Sequence, residues 1–244
     1  MTAAGSRPPT RVVFYHCVGQ LLGDGEVSGV GSDGGAMITP PAQFEAHIEL
    51  LRERGYRFVT AGELAGHWRR SAPPAGLAVL TFDDGWRDGL TTVAPVLARL
   101  GVRATFFVCP AAFGNRKPEL GPSGVVMTEA EARSLHGAGM ELASHSLSHP
   151  DLRELSDGDL RHELTASREA VEALTGEPCL TLAYPDGWHD RRVERAVADA
   201  GYQLAFATEH GPWRKLAVPR VQAPTIGPPE ILLRRLRLSP RLPA

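Results

Sequence analysis

The chain has 244 residues, a formal net charge of −2, 43% hydrophobic residues and 22% charged ones. That is ordinary for a soluble globular protein, long enough for one large α/β domain or two small ones with a real core. The near-neutral balance leaves no global basic field for nucleic acid or an anionic membrane. No stretch approaches the roughly 20 apolar residues of a membrane span. The apolar run Val12 to Tyr15 is too short for the core of a signal peptide, so a cytoplasmic location is expected. Cys17, Cys109 and Cys179 adjoin apolar runs, make no CxxC pair, and read as small buried hydrophobes.

Residues 1–10 are polar, carry Pro8 and Pro9, and are expected to be loose; residues 11–244 read as a single domain. RVVFY at 11–15 is a buried strand ending at His16. The glycine-rich stretch 19–36 reads as a mobile loop. Thr39 is expected to cap a helix from Pro40 that stops at Gly55. RFVT is a short strand and AGELAGHWRR a helix. LAVLTFDDG is an apolar run ending in two carboxylates and a glycine, followed by a helix over TVAPVLARLG. ATFFV is a strand, Thr128 caps EAEARSLHGAG, and ELAS is a strand before two histidines. A long helix ends at Gly176, CLTLAYP is a strand, HDRRVERAVADAG a helix and YQLAFAT a strand. A strand near LAVPR precedes a last amphipathic helix near PEILLRRLRL, whose arginines form a solvated face.

Strands and helices alternate through seven or eight units, which predicts a parallel sheet covered by helices, closed or nearly closed as a barrel. In such barrels active sites lie at the C-terminal ends of the strands. Four chemically rich segments fall there: His16, Asp83–Asp84, His145–His149, and Pro185–Gly187 with His189.

Adjacent carboxylates at the end of an apolar strand are costly unless charge compensates them. A cation offsets the repulsion, with one carboxylate binding it and the other free as a base. The alternative is a pair of helix caps. His145 and His149, four residues apart, face one centre if the segment makes a helical turn. Two imidazoles and a carboxylate suit zinc or a similar ion and leave open positions for water and substrate. The alternative is two surface histidines on a loop.

TFDDG at 81–85, SHSLSHPDL at 144–152 and AYPDG at 183–187 resemble the three ordered motifs of the polysaccharide deacetylases, the family with the NodB homology domain. FYHCV near the start and ATFFV after the first motif extend the resemblance over most of residues 11–222. It implies an α/β fold, a distorted, incomplete (β/α)7–8 barrel. It implies Asp83 as catalytic base and Asp84, His145 and His149 as ligands of one divalent metal, most simply zinc, with cobalt or nickel as alternatives. The backbone N–H of Asp186 is then expected to donate to the oxyanion.

Two departures stand out. The arginine that often opens the third motif and pairs with the catalytic Asp is replaced by Ala183, as in an AYP-type branch, so Asp83 needs another orienting group. The C-terminal segment lacks the His that often supplies the general acid; in a branch with permuted strands an N-terminal Tyr-His strand takes that role. His16 is therefore the expected acid, with His189 as alternative. Trp86, Tyr184, Pro185, Trp188 and His189 are the expected substrate contacts, although Tyr184 also reads as core. Trp213 is a weaker stacking candidate.

The implied reaction is hydrolysis of the acetamide of an N-acetylated amino sugar to acetate and a free amine. A metal-dependent amidohydrolase of a non-polymeric metabolite, including cyclic amide opening, is the alternative, followed by a non-catalytic sugar-binding module. The segments 19–36 and Phe113 to Val126 are expected to shape the cleft. The sequence assigns no oligomeric state.

Overall fold

The computed structural model describes residues 7–19, 38–68, 73–117, 124–208 and 211–238. The glycine-rich loop expectation at 19–36 lies almost wholly outside these residues, as do residues 1–6 of the segment 1–10 expected to be loose, and part of the segment 113–126. In chain order the elements are β1 (Arg11–Tyr15), β2 (Cys17–Val18), β3 (Ile38–Thr39), α1 (Pro41–Glu53), β4 (Arg57–Val59), α2 (Ala61–His67) and β5 (Leu77–Phe82). A π-turn at Gly89–Val93 leads into α3 (Ala94–Leu100), followed by β6 (Thr105–Val108), α4 (Glu129–Gly137), β7 (Glu141–Ser144) and α5 (Asp157–Thr175). Then come β8 (Thr181–Ala183), α6 (Arg191–Asp199), β9 (Leu204–Ala207), β10 (Val218–Pro219), β11 (Val221–Gln222) and α7 (Glu230–Leu238).

Among the described residues, nine strands form one all-parallel sheet in the order β10-β9-β8-β7-β6-β5-β1-β11, with β4 also on β5. The two ends of that order are neighbours in sequence. β10 pairs with β9, one residue passes, and β11 pairs with β1. That residue is Arg220, whose backbone N–H donates to the Ala207 carbonyl at 3.1 Å. The sheet is thus nearly closed as a barrel at a seam held by two-residue strands, as the strand–helix alternation predicts.

Side chains alternate across the sheet with period two. Val12, Val79, Phe107, Ala143, Ala183, Phe206 and Val218 fill the interior with Leu64 and Trp68 from the α2 segment. Val13, Leu80, Phe106, Leu142 and Leu182 face outward to Leu97, Leu135, Leu164 and Val197 on the helices. The helix α2 has a full capping box from Thr60 and Glu63, and its N-terminus is held inside the fold. There Gly62 N donates to Glu141 Oε1 at 2.8 Å, and Thr105 Oγ1 donates to the same carboxylate. A Cβ at Gly62 would meet Glu141 Oε1, so a side chain there would push this carboxylate aside.

One local expectation changes. Thr39 does not cap α1: it pairs with Val18 in the β2–β3 ribbon, and Pro40 is the capping residue, with no side-chain hydrogen bond. The strand RVVFY is buried and ends at His16 as expected; the chain bends there and β2 follows in a separate two-stranded sheet. The C-terminal helix is amphipathic as expected: Leu232 and Leu236 are buried and Arg234, Arg235 and Arg237 are exposed. Arg11 Nε donates to its Leu236 carbonyl at 3.0 Å. All three cysteines are buried, and none forms a disulfide.

The helix α1 buries His47 completely. Gln43 Nε2 lies 3.1 Å from Nε2 of this ring and the Tyr15 hydroxyl 3.2 Å from Nδ1, so a neutral imidazole satisfies both contacts. Burial, helped by the Arg235 charge, pushes its pKa down from 6.5 to about 4. Between those values the unfolded chain binds a proton that the folded chain refuses, so stability falls as pH drops through that window. In urea unfolding, the stability advantage of wild type over His47→Gln is expected to shrink from pH 7 to pH 4. A pH-independent advantage would refute this assignment.

Candidate metal centre and active site

Because the strands are parallel, the C-terminal ends of β1, β5, β7 and β8 open on one side. Among the described residues, four non-glycine residues have positive φ: Asp84 (69°), Ser146 (62°), His149 (65°) and Asp186 (53°). All four lie in the three sequence motifs at these strand ends. Such left-handed backbone costs about 1–3 kcal/mol per residue and persists where surrounding structure imposes it, often at functional sites.

Asp83 continues the inward phase of Val79 and Thr81, and its N–H donates to the Tyr15 carbonyl at 3.0 Å. Regular strand geometry would send Asp84 to the opposite face. The left-handed turn at Asp84 instead brings its carboxylate to the histidines. Asp84 Oδ1 lies 3.6 Å from His145 Nε2 and 3.5 Å from His149 Nε2. The three ligand atoms lie within 4.8 Å of one another.

These separations are too long for good hydrogen bonds. They are close to the roughly 3.3 Å edge expected of tetrahedral ligands about 2.0–2.1 Å from a zinc ion. The surroundings fit the same assignment. The Ala183 carbonyl lies 2.8 Å from His145 Nδ1, which places the proton there and turns the Nε2 lone pair to the centre. Burial pushes His145 down to about 4, so the ring is neutral and ready to ligate. Trp86 Nε1 donates to Asp84 Oδ2 at 3.0 Å, leaving Oδ1 toward the histidines. Burial opposes ionisation of Asp84, but the adjacent His16, His145 and His149 outweigh it and hold the carboxyl below its ordinary value. The donor set and its supports therefore fit one divalent cation.

Asp83 is gripped by a residue that the sequence reading did not single out. Arg220 Nη1 and Nη2 each donate to one Asp83 oxygen at 2.7 Å, and Nη1 also reaches Thr81 Oγ1 at 3.2 Å. The guanidinium carbon sits 4.8 Å from the Phe14 ring centre and 5.7 Å from that of Phe107. Burial alone would raise the Asp83 pKa, but the Arg220 charge and its paired hydrogen bonds win, holding the carboxyl near 2. This answers the departure at Ala183: the orienting arginine comes from the barrel seam.

His16 is half-buried at the kink after β1, and a charge on its ring acts on Asp84 and Asp83. The Asp88 carboxylate fastens the following backbone by accepting the Val18 N–H. The expected alternative acid, His189, is committed elsewhere. Its ring stacks on Tyr184 at 4.8 Å, and its Nδ1 lies 3.0 Å from Glu194 Oε1.

The expected sugar contacts separate by exposure. Trp86 is only 2% exposed, and its indole serves Asp84. Tyr184 has no exposed surface, and its hydroxyl donates to the Leu216 carbonyl at 2.9 Å. Pro185 is buried. None of these three presents a face to a ligand; they are packing, as the strand phase imposes at Tyr184. Trp213 is likewise buried, against Trp68. Trp188 is 36% exposed, with the Arg153 guanidinium 4.8 Å from its ring centre. Asp186 sits at the end of β8 with its carbonyl bonded to Thr208 Oγ1 at 3.1 Å. A Cβ at the next residue, Gly187, would strike Thr208, so the glycine of AYPDG is required by close approach.

Removing one partner of a buried ion pair strands the other charge. Arg220→Met is expected to cost about 3–5 kcal/mol in urea unfolding, and adding Asp83→Asn to recover a large part of that loss. A cost below about 1 kcal/mol, or no recovery in the double variant, would contradict the pairing.

Residues 70–205 match the family model described as polysaccharide deacetylase. YxkH of Bacillus subtilis is 27% identical over 181 residues, 74% of this chain and 62% of YxkH. A chitooligosaccharide deacetylase of Sinorhizobium fredii is 33% identical over 134 residues, 54% of this chain and 57% of that protein. The chain thus spans about three fifths of the length of these relatives. The solved structure of Streptococcus pyogenes deacetylase PplD in complex with acetate superposes with a TM-score of 0.77 at 22% identity, covering 94% of this chain and 99% of that one. That likeness establishes the fold, and the family model establishes the lineage: the chain belongs to the polysaccharide deacetylase family.

Proposed function

We propose that the protein is a metal-dependent deacetylase that hydrolyses the acetamide of an N-acetylated amino sugar, releasing acetate and a free amine. The observation that carries this reading is one buried carboxylate, Asp83, held ionised beside a converging Asp84–His145–His149 triad. A binding module has no need for a second carboxylate kept charged at such cost. The substrate class follows the family and the deacetylase relative.

Asp84, His145 and His149 would hold the cation, and zinc fits the donor set, with cobalt and nickel as alternatives. When bound, the cation supplies Lewis-acid polarisation of the acyl carbonyl and acidifies water. The chain's own residues do the rest. Asp83, fixed by the Arg220 fork, accepts the proton of the attacking water. The Asp186 N–H donates to the oxyanion that forms as the carbonyl becomes tetrahedral. His16 protonates the amine nitrogen as the C–N bond breaks, so that the amine leaves neutral. The exposed face of Trp188 offers a stacking surface for a sugar ring beside the third motif.

The test is release of acetate from mono- and oligomeric N-acetyl sugars by the metal-loaded protein. Asp83→Asn is expected to keep its metal and lose activity by about 10²–10⁴-fold. Full activity in the metal-loaded variant would overturn the base assignment, and absence of acetate release from every such sugar by the wild type would overturn the substrate class.

A further inference from the structure

We propose that Glu163, on α5, is a positioning residue that sets His149 for ligation and thereby fixes the cation affinity of the centre. The inference rests on the reading that Asp84, His145 and His149 hold a divalent cation.

The two histidines are held by different means. His145 directly follows β7, its N–H donates to the Val108 carbonyl at 2.9 Å, and its ring is tied to Ala183. His149 lies beyond the strand, with its side chain 30% exposed. It is reached through a loop that turns left-handed at both Ser146 and His149. Such backbone is uncommon for a residue other than glycine and is held by its surroundings. Within the loop, the His149 N–H donates to Ser146 Oγ at 3.0 Å. On one side Ala111 N donates to the Leu147 carbonyl at 3.0 Å.

The other side is held by α5. Glu163 Oε2 accepts the N–H groups of both Leu147 and Ser148, at 2.9 and 3.0 Å, and Oε1 accepts the Ser148 hydroxyl at 2.5 Å. One turn further along the same helix, Ser167 Oγ donates to the Ser146 carbonyl at 3.0 Å. Successive N–H groups converging on one anion form a nest, and an ionised acceptor makes each such bond about twice as strong as a neutral one. The Glu163 carboxylate therefore fills the concave side of the ligand loop and opposes its relaxation to right-handed backbone. Without it, His149 loses its fixed distance to Asp84, while His145 keeps its own supports.

The experiment is titration of the metal-free full chain with cobalt(II) alone, read by its visible d–d absorption, for wild type, Glu163→Ala, Glu163→Gln and Asp84→Ala. Glu169→Gln, at an exposed site on the same helix, is the control. Glu163→Ala is expected to weaken cobalt binding about 10–100-fold, the range found for partners that orient ligands. Glu163→Gln, which keeps the shape and loses the charge, is expected to fall between that variant and wild type, and it carries the test if the alanine variant does not fold. The control is expected to match wild type. Binding within about twofold of wild type in the folded Glu163 variants would overturn the inference and leave the metal centre standing. Cobalt binding that Asp84→Ala does not abolish would overturn the metal-centre reading itself, and the inference with it.

Discussion

The Asp83–Arg220 pair is the contact on which the rest of the site depends. A buried carboxylate in an apolar barrel is expensive and would take up a proton if left alone. The guanidinium fork, with both bonds at 2.7 Å, keeps it charged. Arg220 is also the single residue between β10 and β11, the two strands that bring the ends of the sheet together. The seam of the barrel and the ionised carboxylate thus meet at one residue, its backbone in the first and its side chain in the second. Replacing a buried ion pair with well-packed apolar residues is often neutral or stabilising. Stability alone therefore does not account for its presence in the mouth of this barrel.

The second constraint is backbone handedness. Adjacent strand residues diverge, and a His-x3-His segment on an extended chain would scatter its rings. Left-handed turns at Asp84, Ser146, His149 and Asp186 aim the three motifs at one place. Each is sustained by neighbours: Trp86 on the Asp84 carboxylate, Glu163 and Ser167 on the histidine loop, Thr208 on the Asp186 carbonyl. Trp86 is a local neighbour of Asp84, two residues on, while the bonds that hold the histidine loop and Asp186 come from other segments.

That division explains what was legible in the sequence. The parallel barrel follows from alternating short apolar strands and capped helices, and the triad from the resemblance of TFDDG and SHSLSHPDL, at strand ends, to the motifs of the family. The partner of Asp83 is 137 residues away, and no local pattern announces it. The one available signal is the two-residue alternation Val218, Arg220, which places a charge on the inward face of a terminal strand. Trp86, Tyr184 and Pro185 adjoin the motifs, yet burial removes them as ligand surfaces. His189 was legible as a histidine near the third motif, but its partnership with Glu194 needs the turn that begins α6. Thr39 looked like a cap because it precedes prolines; the β2–β3 pairing claims it instead.

The most direct measurement is the anomalous scattering of zinc in a crystal of the metal-loaded protein. One peak is expected about 2.0–2.1 Å from Asp84 Oδ1, His145 Nε2 and His149 Nε2, with Asp83 still bonded to Arg220 and making no bond to the metal. A fully loaded crystal with no peak at that triad, or with the metal bound by Asp83 in place of Asp84, would contradict it.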